Sequence, residues 1–208
     1  MENPAAENKK VIVFAYECLG TAMLVYAVNL QAAFTLGVFA IPLTLFAVIL
    51  IIGPVTGCHI NPAVSLGVFL SNRFWESDLN MFLIMVGAQF TGGFLGIFLV
   101  YMSLFNPAAE GAAVVPVTAV NALVPAAGTS TANAFLIETI VTWLFVQVIL
   151  IVKTKKTTPS GEGFLGGLAV VFTLFVGIGI SAARTGGCLN PAVGLAQTFQ
   201  FNMIGAED

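Results

Sequence analysis

The stretch TGCHINPAVSL, residues 56–66, decides the fold because the chain contains it twice. The second copy is TGGCLNPAVGL, residues 185–195, and with the asparagines aligned the Thr-Gly, Asn-Pro-Ala-Val and Leu residues coincide. Asn is a favoured helix N-cap and Pro a favoured first helical residue. Each copy therefore predicts a short helix entered from a glycine-containing loop. Two such N-termini carry spare N–H donors and partial positive charge, which predicts a site built from paired half-helices.

The composition indicates an integral membrane protein. Of the 208 residues, 58% are hydrophobic and 8% are charged, whereas a soluble domain carries about 25% charged residues. The net charge of −3 argues against a nucleic-acid partner. One His and the lack of paired Cys or His spacings argue against a metal site, and no motif indicates a cofactor. No Ser/His/Asp set or phosphate-binding loop points to an enzyme.

The apolar runs predict five membrane-spanning helices, since a span needs about 20 mostly apolar residues. They lie near 11–34, 37–55, 80–104, 133–152 and 164–182. Two shorter apolar segments, near 61–71 and 190–201, follow the repeated stretches. Because polar backbone at membrane depth must be buried by protein or line a wet cavity, we expect both short segments inside the bundle.

The repeat extends into the preceding spans. Glu17 and Thr21 in the first span match Glu138 and Thr142 in the fourth. Three spans separate the two copies, and an odd number places the second copy upside down, as an inverted repeat. We therefore expect one membrane domain over 1–208, with repeats at 9–104 and 133–208 joined by a loop at 105–132.

The loop charges orient the bundle by the positive-inside rule. Lysines and an arginine cluster on one predicted side, at Lys9, Lys10, Arg73, Lys153, Lys155 and Lys156. This pattern predicts an N-terminus on the cytoplasmic, or equivalent, side of a multi-pass protein. Arg184 is the exception: it either supplies a charge near the outer mouth or, the interpretation we favour, faces the outer headgroups.

These residues resemble the aquaporin, or major intrinsic protein, family. The resemblance rests on the two Asn-Pro-Ala boxes, His59, the Glu-x-x-x-Thr pair and Gln89 in the third span, and it covers essentially the whole chain. It implies an all-α membrane fold, here five transmembrane helices and two re-entrant half-helices. It also implies a lipid bilayer environment, passage of water or small neutral solutes, and a homotetramer or a subunit of a larger membrane assembly.

The chain departs from the family pattern in three ways. The family has six spans, and this sequence stops soon after the second half-helix, so either it is a piece of a longer chain or a partner supplies the last wall. The family usually has Arg after its second Asn-Pro-Ala box, where this chain has Val193. Glycerol-facilitator members have Asp at the next position, where this chain has Gly194.

The candidate pore residues form three groups. The boxes are Asn61, Pro62, Ala63, Asn190, Pro191 and Ala192, whose asparagines we expect to meet at the midplane and to leave their side-chain NH₂ groups for a solute. By resemblance, the outer selectivity filter falls on Ile41, Ile178, Gly187 and Val193, where water-selective members carry an aromatic residue, His, a small residue and Arg. The supporting residues are Glu17, Glu138, His59 and Gln89.

Two of the supporting roles remain open on the sequence. The intramembrane acids Glu17 and Glu138 either relay protons or, as we favour, hold the loops that lead into the boxes. His59 either lines the pore as a donor or fixes its own loop. The leading hypothesis for the whole chain is a passive channel for water or small uncharged solutes. The alternatives are a non-conducting structural subunit of a membrane complex and, further off, a proton-coupled transporter.

Overall fold

The computed structural model describes residues 4–30, 37–72, 78–104, 123–154 and 163–204. Across these ranges the regular structure is helical, with a single 3₁₀ turn at Gly37–Phe39. The α-helices are α1 (Pro4–Leu30), α2 (Ala40–Thr56), α3 (Pro62–Ser71), α4 (Leu79–Leu104), α5 (Thr131–Lys153), α6 (Gly163–Thr185) and α7 (Pro191–Ile204). The all-α fold class predicted from the sequence is confirmed.

Four of the five predicted spans form helices that are long and apolar enough to cross a bilayer, namely α1, α4, α5 and α6. The predicted span 37–55 forms α2, which has 17 residues and is about 26 Å long at the rise of an α-helix. Residues 31–34 of the first predicted span, most of the loop 105–132, and Arg73, Lys155 and Lys156 lie outside the described residues.

The two short helices begin where the repeated stretch predicts. Asn61 is the N-cap of α3, with extended backbone, and Pro62 is its first residue. Pro191 likewise opens α7 directly after Asn190. Helix α3 has 10 residues and α7 has 14, so they are about 15 and 21 Å long, too short to cross the roughly 30 Å hydrocarbon core.

The packing repeats between the two halves of the chain. Helix α1 packs against α2, and α5 packs against α6, while α2 and α6 contact each other between the halves. Helix α4 lies against α1 and α7, and α3 lies against α4 and α5. Each half-helix is therefore held by a span from the opposite repeat, which brings the two repeated loops together inside the bundle.

Glycines on α4 permit the closest helix approaches. A Cβ on Gly92 would lie 2.2 Å from the Cys18 carbonyl oxygen of α1, and one on Gly93 would lie 2.9 Å from the Ala192 carbonyl oxygen of α7. Any larger side chain at these positions would push the backbones apart. The small residues of α4 thus fix the distance at which the second half-helix sits from the first repeat.

The interior of the bundle holds polar residues, and much of its exterior is apolar. Glu17, Gln89 and Asn61 are at most 3% exposed, whereas Phe135 on α5 is 74% exposed. A soluble protein has the opposite arrangement, because an exposed apolar surface is unfavourable in water. This distribution fits an integral, multi-pass membrane protein.

Candidate functional site

The loops before the two half-helices share an unusual backbone conformation. Aligned positions in both copies have positive φ: Gly57 (88°), Cys58 (51°) and Ile60 (41°) in the first, and Gly186 (90°), Gly187 (69°) and Leu189 (50°) in the second. Positive φ is rare for residues other than glycine, and rarest for β-branched ones such as Ile. Such strain persists only where surrounding contacts hold it in place. The shared conformation shows that the repeat extends to the backbone.

The two asparagines bond across the repeat boundary. The Asn61 side-chain Nδ2 donates to the Leu189 carbonyl oxygen at 2.8 Å, and the Asn190 Nδ2 donates to the Ile60 carbonyl oxygen at 2.9 Å. Each asparagine therefore bonds the residue that precedes the other. The tips of α3 and α7 are locked to each other by this reciprocal pair.

The same asparagines cap their own helices. The Asn61 Oδ1 accepts from the Ala63 backbone N at 2.9 Å, and the Asn190 Oδ1 accepts from the Ala192 N at 3.0 Å. One hydrogen of each NH₂ group, which the sequence prediction left for a solute, makes the bond across the repeats. Within the described part of the chain, the second N–H of each side-chain amide has no protein acceptor.

Glu17 holds the first loop. Its side chain is fully buried, and its Oε1 accepts from the Thr56 hydroxyl at 2.6 Å and the His59 backbone N at 3.0 Å. Its Oε2 accepts from the Ile60 backbone N at 2.6 Å and from the Gln89 side chain at 2.9 Å. Four donors converge on one carboxyl group, and these contacts hold the strained loop in place.

Glu138 holds the second loop in a matching way. Its Oε1 accepts from the Thr185 hydroxyl and from the Cys188 backbone N, the latter at 3.2 Å. Its Oε2 accepts from the Leu189 backbone N at 3.0 Å. The hydroxyl and two backbone donors occupy the positions that are equivalent to those around Glu17, so the geometry favours the loop-holding interpretation for both acids.

The His59 side chain has a hydrogen-bond partner on α3 and also borders empty space. Its Nδ1 lies 3.1 Å from the Ser65 hydroxyl, and Ser65 in turn accepts from Gln89 at 2.8 Å. These bonds tie the imidazole to α3 and α4. The same side chain also lines the internal cavities described next.

All four predicted filter positions line one cavity together with both asparagines. This cavity, hereafter the outer cavity, has a volume of about 280 Å³. Its remaining walls are mostly apolar side chains and glycine backbone. The residues that the filter and box predictions share with this cavity are Ile41, Ile178, Gly187, Val193, Asn61 and Asn190.

A second cavity of about 500 Å³, hereafter the inner cavity, lies against the first loop at Gly57 and Cys58. Leu45, His59 and Phe145 line both cavities, so the two adjoin at these side chains. Together they extend from the filter positions past the asparagines to the end of the bundle at which α2 and α5 terminate. Arg184 borders neither of them and lines a separate small pocket with Asn133.

Several functional neighbours were missed in the sequence. Thr56 and Thr185 occupy the same place in the two repeated stretches and donate to the two repeated acids, a pairing that their repetition could have indicated. Ser65, the link between His59 and Gln89, occurs in the first copy alone, where the second has Gly194. Phe145 carried no sequence signal beyond its position in an apolar run.

Fold and site define a polytopic membrane protein in which two half-helices meet tip to tip beside two adjoining cavities. Comparison with known proteins gives the same class. A family model described as "Major intrinsic protein" matches residues 5–204. The chain belongs to the major intrinsic protein family.

Individual relatives agree with this assignment. The protein named "Probable aquaporin AqpM" from Archaeoglobus fulgidus is 33% identical over 153 residues, which cover 74% of this chain and 57% of that relative. Aquaporin A of Dictyostelium discoideum is 29% identical over 86% of this chain and 61% of its own length. The chain thus spans about three-fifths of the length of these two relatives, 57% of the first and 61% of the second.

A solved structure supports the fold. The X-ray structure of the aquaglyceroporin from Plasmodium falciparum superimposes with a TM-score of 0.76 and 25% sequence identity. The match covers 93% of this chain and 82% of that one. The predicted family and aquaporin-like fold are therefore confirmed.

Proposed function

We propose that this chain forms a passive transmembrane pore for water or small uncharged solutes, with the two Asn-Pro-Ala half-helices at its centre. The observation that carries the proposal is the position of Asn61 and Asn190, which bond each other's loops and line the outer cavity. Each keeps one N–H to offer a passing molecule. Transport of this kind needs no covalent chemistry, cofactor or metal.

The paired helix ends account for selection against ions. Helices α3 and α7 both begin at the asparagines, so their partial positive charges face the same short section of the route. Cations are repelled there, and the fixed amide donors orient a solute as an acceptor, which disfavours a continuous proton wire. The two acids do not serve as a relay in this mechanism, because their oxygens are engaged by the loops.

The outer filter determines which neutral solutes enter. Ile41, Ile178 and Val193 offer no hydrogen-bond donor, and Gly187 has no side chain. A filter of this kind replaces little of a solute's hydration, so it discriminates weakly in favour of water. We therefore propose that small uncharged solutes pass along with water.

Stopped-flow light scattering on proteoliposomes tests this proposal. Vesicles that contain the full-length protein should swell faster than protein-free vesicles, in water and in at least one small neutral solute such as glycerol or urea. The N61D/N190D double variant, which removes the amide donors, is the matched control. Permeability of the parent protein no higher than that of empty vesicles would contradict the proposal.

Orientation and assembly follow as parts of the same proposal. Lys9, Lys10 and Lys153 favour a cytoplasmic, or equivalent, location for the N-terminus by the positive-inside rule. The exposed apolar faces of the spans suit either lipid or further copies in a homotetramer. Protease protection of an N-terminal tag in right-side-out vesicles distinguishes the two orientations.

A groove between α3 and α5 favours a second candidate, a structural subunit of a larger membrane assembly. It encloses about 690 Å³ and is lined by Leu66, Phe135, Trp143 and, at its wall, Glu138. The equivalent pair of helices, α1 and α7, is covered by α4. Since intramembrane acids rarely face lipid, a protein helix is the better occupant of this groove.

The two candidates differ in what is purified and what is transported. A structural subunit would be isolated in a stable complex with unrelated chains and would leave vesicle permeability unchanged. A channel would be isolated as copies of itself and would raise permeability. Mass measurement by light scattering after mild detergent extraction, combined with the swelling assay, separates these outcomes.

A further inference from the structure

The inner cavity holds a charged group that the proposed channel leaves without a role. Lys153, the last residue of α5, lines this cavity. Its Nζ donates to the Gly57 carbonyl oxygen at 2.5 Å, a contact between residues 96 apart in the sequence. Gly57 lies in the strained loop that leads into α3. The bond therefore joins the end of a second-repeat span to the pore loop of the first repeat.

Gly57 is suited to receive the ammonium group. Its φ of 88° is in the left-handed region, which favours glycine. A Cβ at this position would lie 3.2 Å from the Lys153 Nζ. A side chain here would thus be strained and would crowd the ammonium, so glycine leaves room for the charge beside the carbonyl.

Lys153 differs in position from the other described cationic residues. Arg184 lines a separate pocket, and Lys9 and Lys10 near the start of α1 line neither the outer nor the inner cavity. Over the ranges that the structure describes, Lys153 is therefore the cationic side chain on the solute route. The four filter positions at the other end of the route carry no charge.

Two physical effects follow from the ammonium group in this place. Lys153 is itself exposed at the mouth of the inner cavity, and the largely apolar walls of that cavity focus its field on the opening. It also occupies the Gly57 carbonyl oxygen, and carbonyl oxygens are the groups that replace the hydration shell of a cation in a pore. Both effects oppose the entry of a cation and leave a neutral molecule unaffected.

We propose that Lys153, held on the Gly57 carbonyl, is a specificity-determining residue that excludes cations at the inner mouth of the pore. It performs there the task that Val193 and the other apolar filter residues cannot perform at the outer mouth. The proposal rests on the proposed channel function. It adds a second barrier to cations, at the end of the route opposite the filter, to the barrier at the half-helix tips.

The test uses the full-length protein in vesicles of neutral phosphatidylcholine and measures two fluxes. Light scattering reports glycerol or urea entry, and quenching of a trapped dye reports Tl⁺ entry. The parent protein and K153R should exclude Tl⁺. We expect K153Q to raise Tl⁺ entry at least about tenfold and K153E to raise it further, since a unit charge a few ångströms from the ion controls the barrier. Neutral-solute entry should stay within about twofold of the parent value.

Controls separate a charge effect from a structural one. K9E changes the charge of an exposed lysine outside both cavities and should leave Tl⁺ entry unchanged. The Tl⁺ leak in K153E should depend on ionic strength, because added salt screens exposed charges. Exclusion of Tl⁺ by K153Q and K153E at the parent level would overturn the proposal, as would a change in neutral-solute entry alone. Equal neutral-solute entry in parent and empty vesicles would contradict the channel proposal, while the Tl⁺ measurements would still report on Lys153.

Discussion

The two loop clusters, around Glu17 and around Glu138, contain the same kinds of hydrogen bond but differ in burial and in the number of donors. Both acids bind the threonine and two backbone N–H groups of their own repeated stretch. Glu17 is fully buried and has a fourth donor, Gln89 of α4, whereas Glu138 is half-buried and faces the groove between α3 and α5. The difference shows that a loop is fixed both by its acid and by the helix that closes over that acid.

Removal of the acids should produce the largest effect and should differ between the repeats. E17A removes the shared acceptor of four donors, two on buried residues and two on half-buried ones, and we expect a loss of at least about 3 kcal/mol of stability, because unpaired buried polar groups are costly. E138A exposes three donors beside an open groove and should cost about half as much. Thermal unfolding of the two variants in the same detergent measures this difference. Equal losses would contradict the asymmetry of the two clusters.

Removal of the Gln89 amide should show how much the fourth donor to Glu17 contributes to stability. Q89L removes the amide that bonds Glu17 and Ser65, and we expect a loss of about 1–2 kcal/mol. The same change at Gln147, which is half-buried in the groove wall, should have little effect. Denaturation curves of Q89L and Q147L provide the measurement. A larger loss for Q147L would show that the groove side is the better-packed one.

The reciprocal asparagine bonds predict energetic coupling between the repeats. N61A and N190A each remove one bond across the boundary, and the double variant removes both. Since the two bonds hold the same pair of tips, their effects should be non-additive by about 0.5–1.5 kcal/mol. A double-mutant cycle on stability measures the coupling, with N133A, at an exposed residue in the first turn of α5, in place of one partner as the control. Simple additivity would indicate that the tips do not act as one unit.

An arginine at position 193 should affect stability least and should specifically change which solutes enter. V193R places a guanidinium at a wall of the outer cavity, and we expect glycerol or urea entry to fall at least about fivefold while water entry falls less, because the narrowed filter then hydrogen-bonds water. V193L, of comparable length without charge, is the control. Equal reduction of water and solute entry by both variants would mean that bulk alone is responsible.

The sequence predicted those parts of the fold that depend on short motifs present in both repeats. An Asn-Pro pair after a glycine-containing loop was enough to predict where α3 and α7 begin, and the Glu-x-x-x-Thr pair indicated the acids that hold the loops. The partners of those acids in Thr56 and Thr185 were equally repeated and could have been predicted.

The contacts between distant segments could not be predicted in this way. The bonds from Asn61 to Leu189 and from Lys153 to Gly57 depend on the positive φ values of the loops, which orient the carbonyl groups. Residue type carries no signal for such values at Ile60 or Leu189. The predicted span 37–55 also begins with the 3₁₀ turn Gly37–Phe39, and the α-helix itself starts at Ala40.

The most direct test of the central claim is a distance across the repeat boundary in the bilayer. Solid-state NMR dipolar recoupling between ¹⁵N in the asparagine side chains and ¹³C in the leucine carbonyl groups reports the Asn61–Leu189 contact, and N61A serves to assign it. A hydrogen bond requires a nitrogen-to-carbonyl-carbon distance of about 4 Å. We predict dephasing that corresponds to this distance and that disappears in N61A. No such contact in the parent protein would mean that the half-helix tips do not meet, and the proposed pore would be wrong.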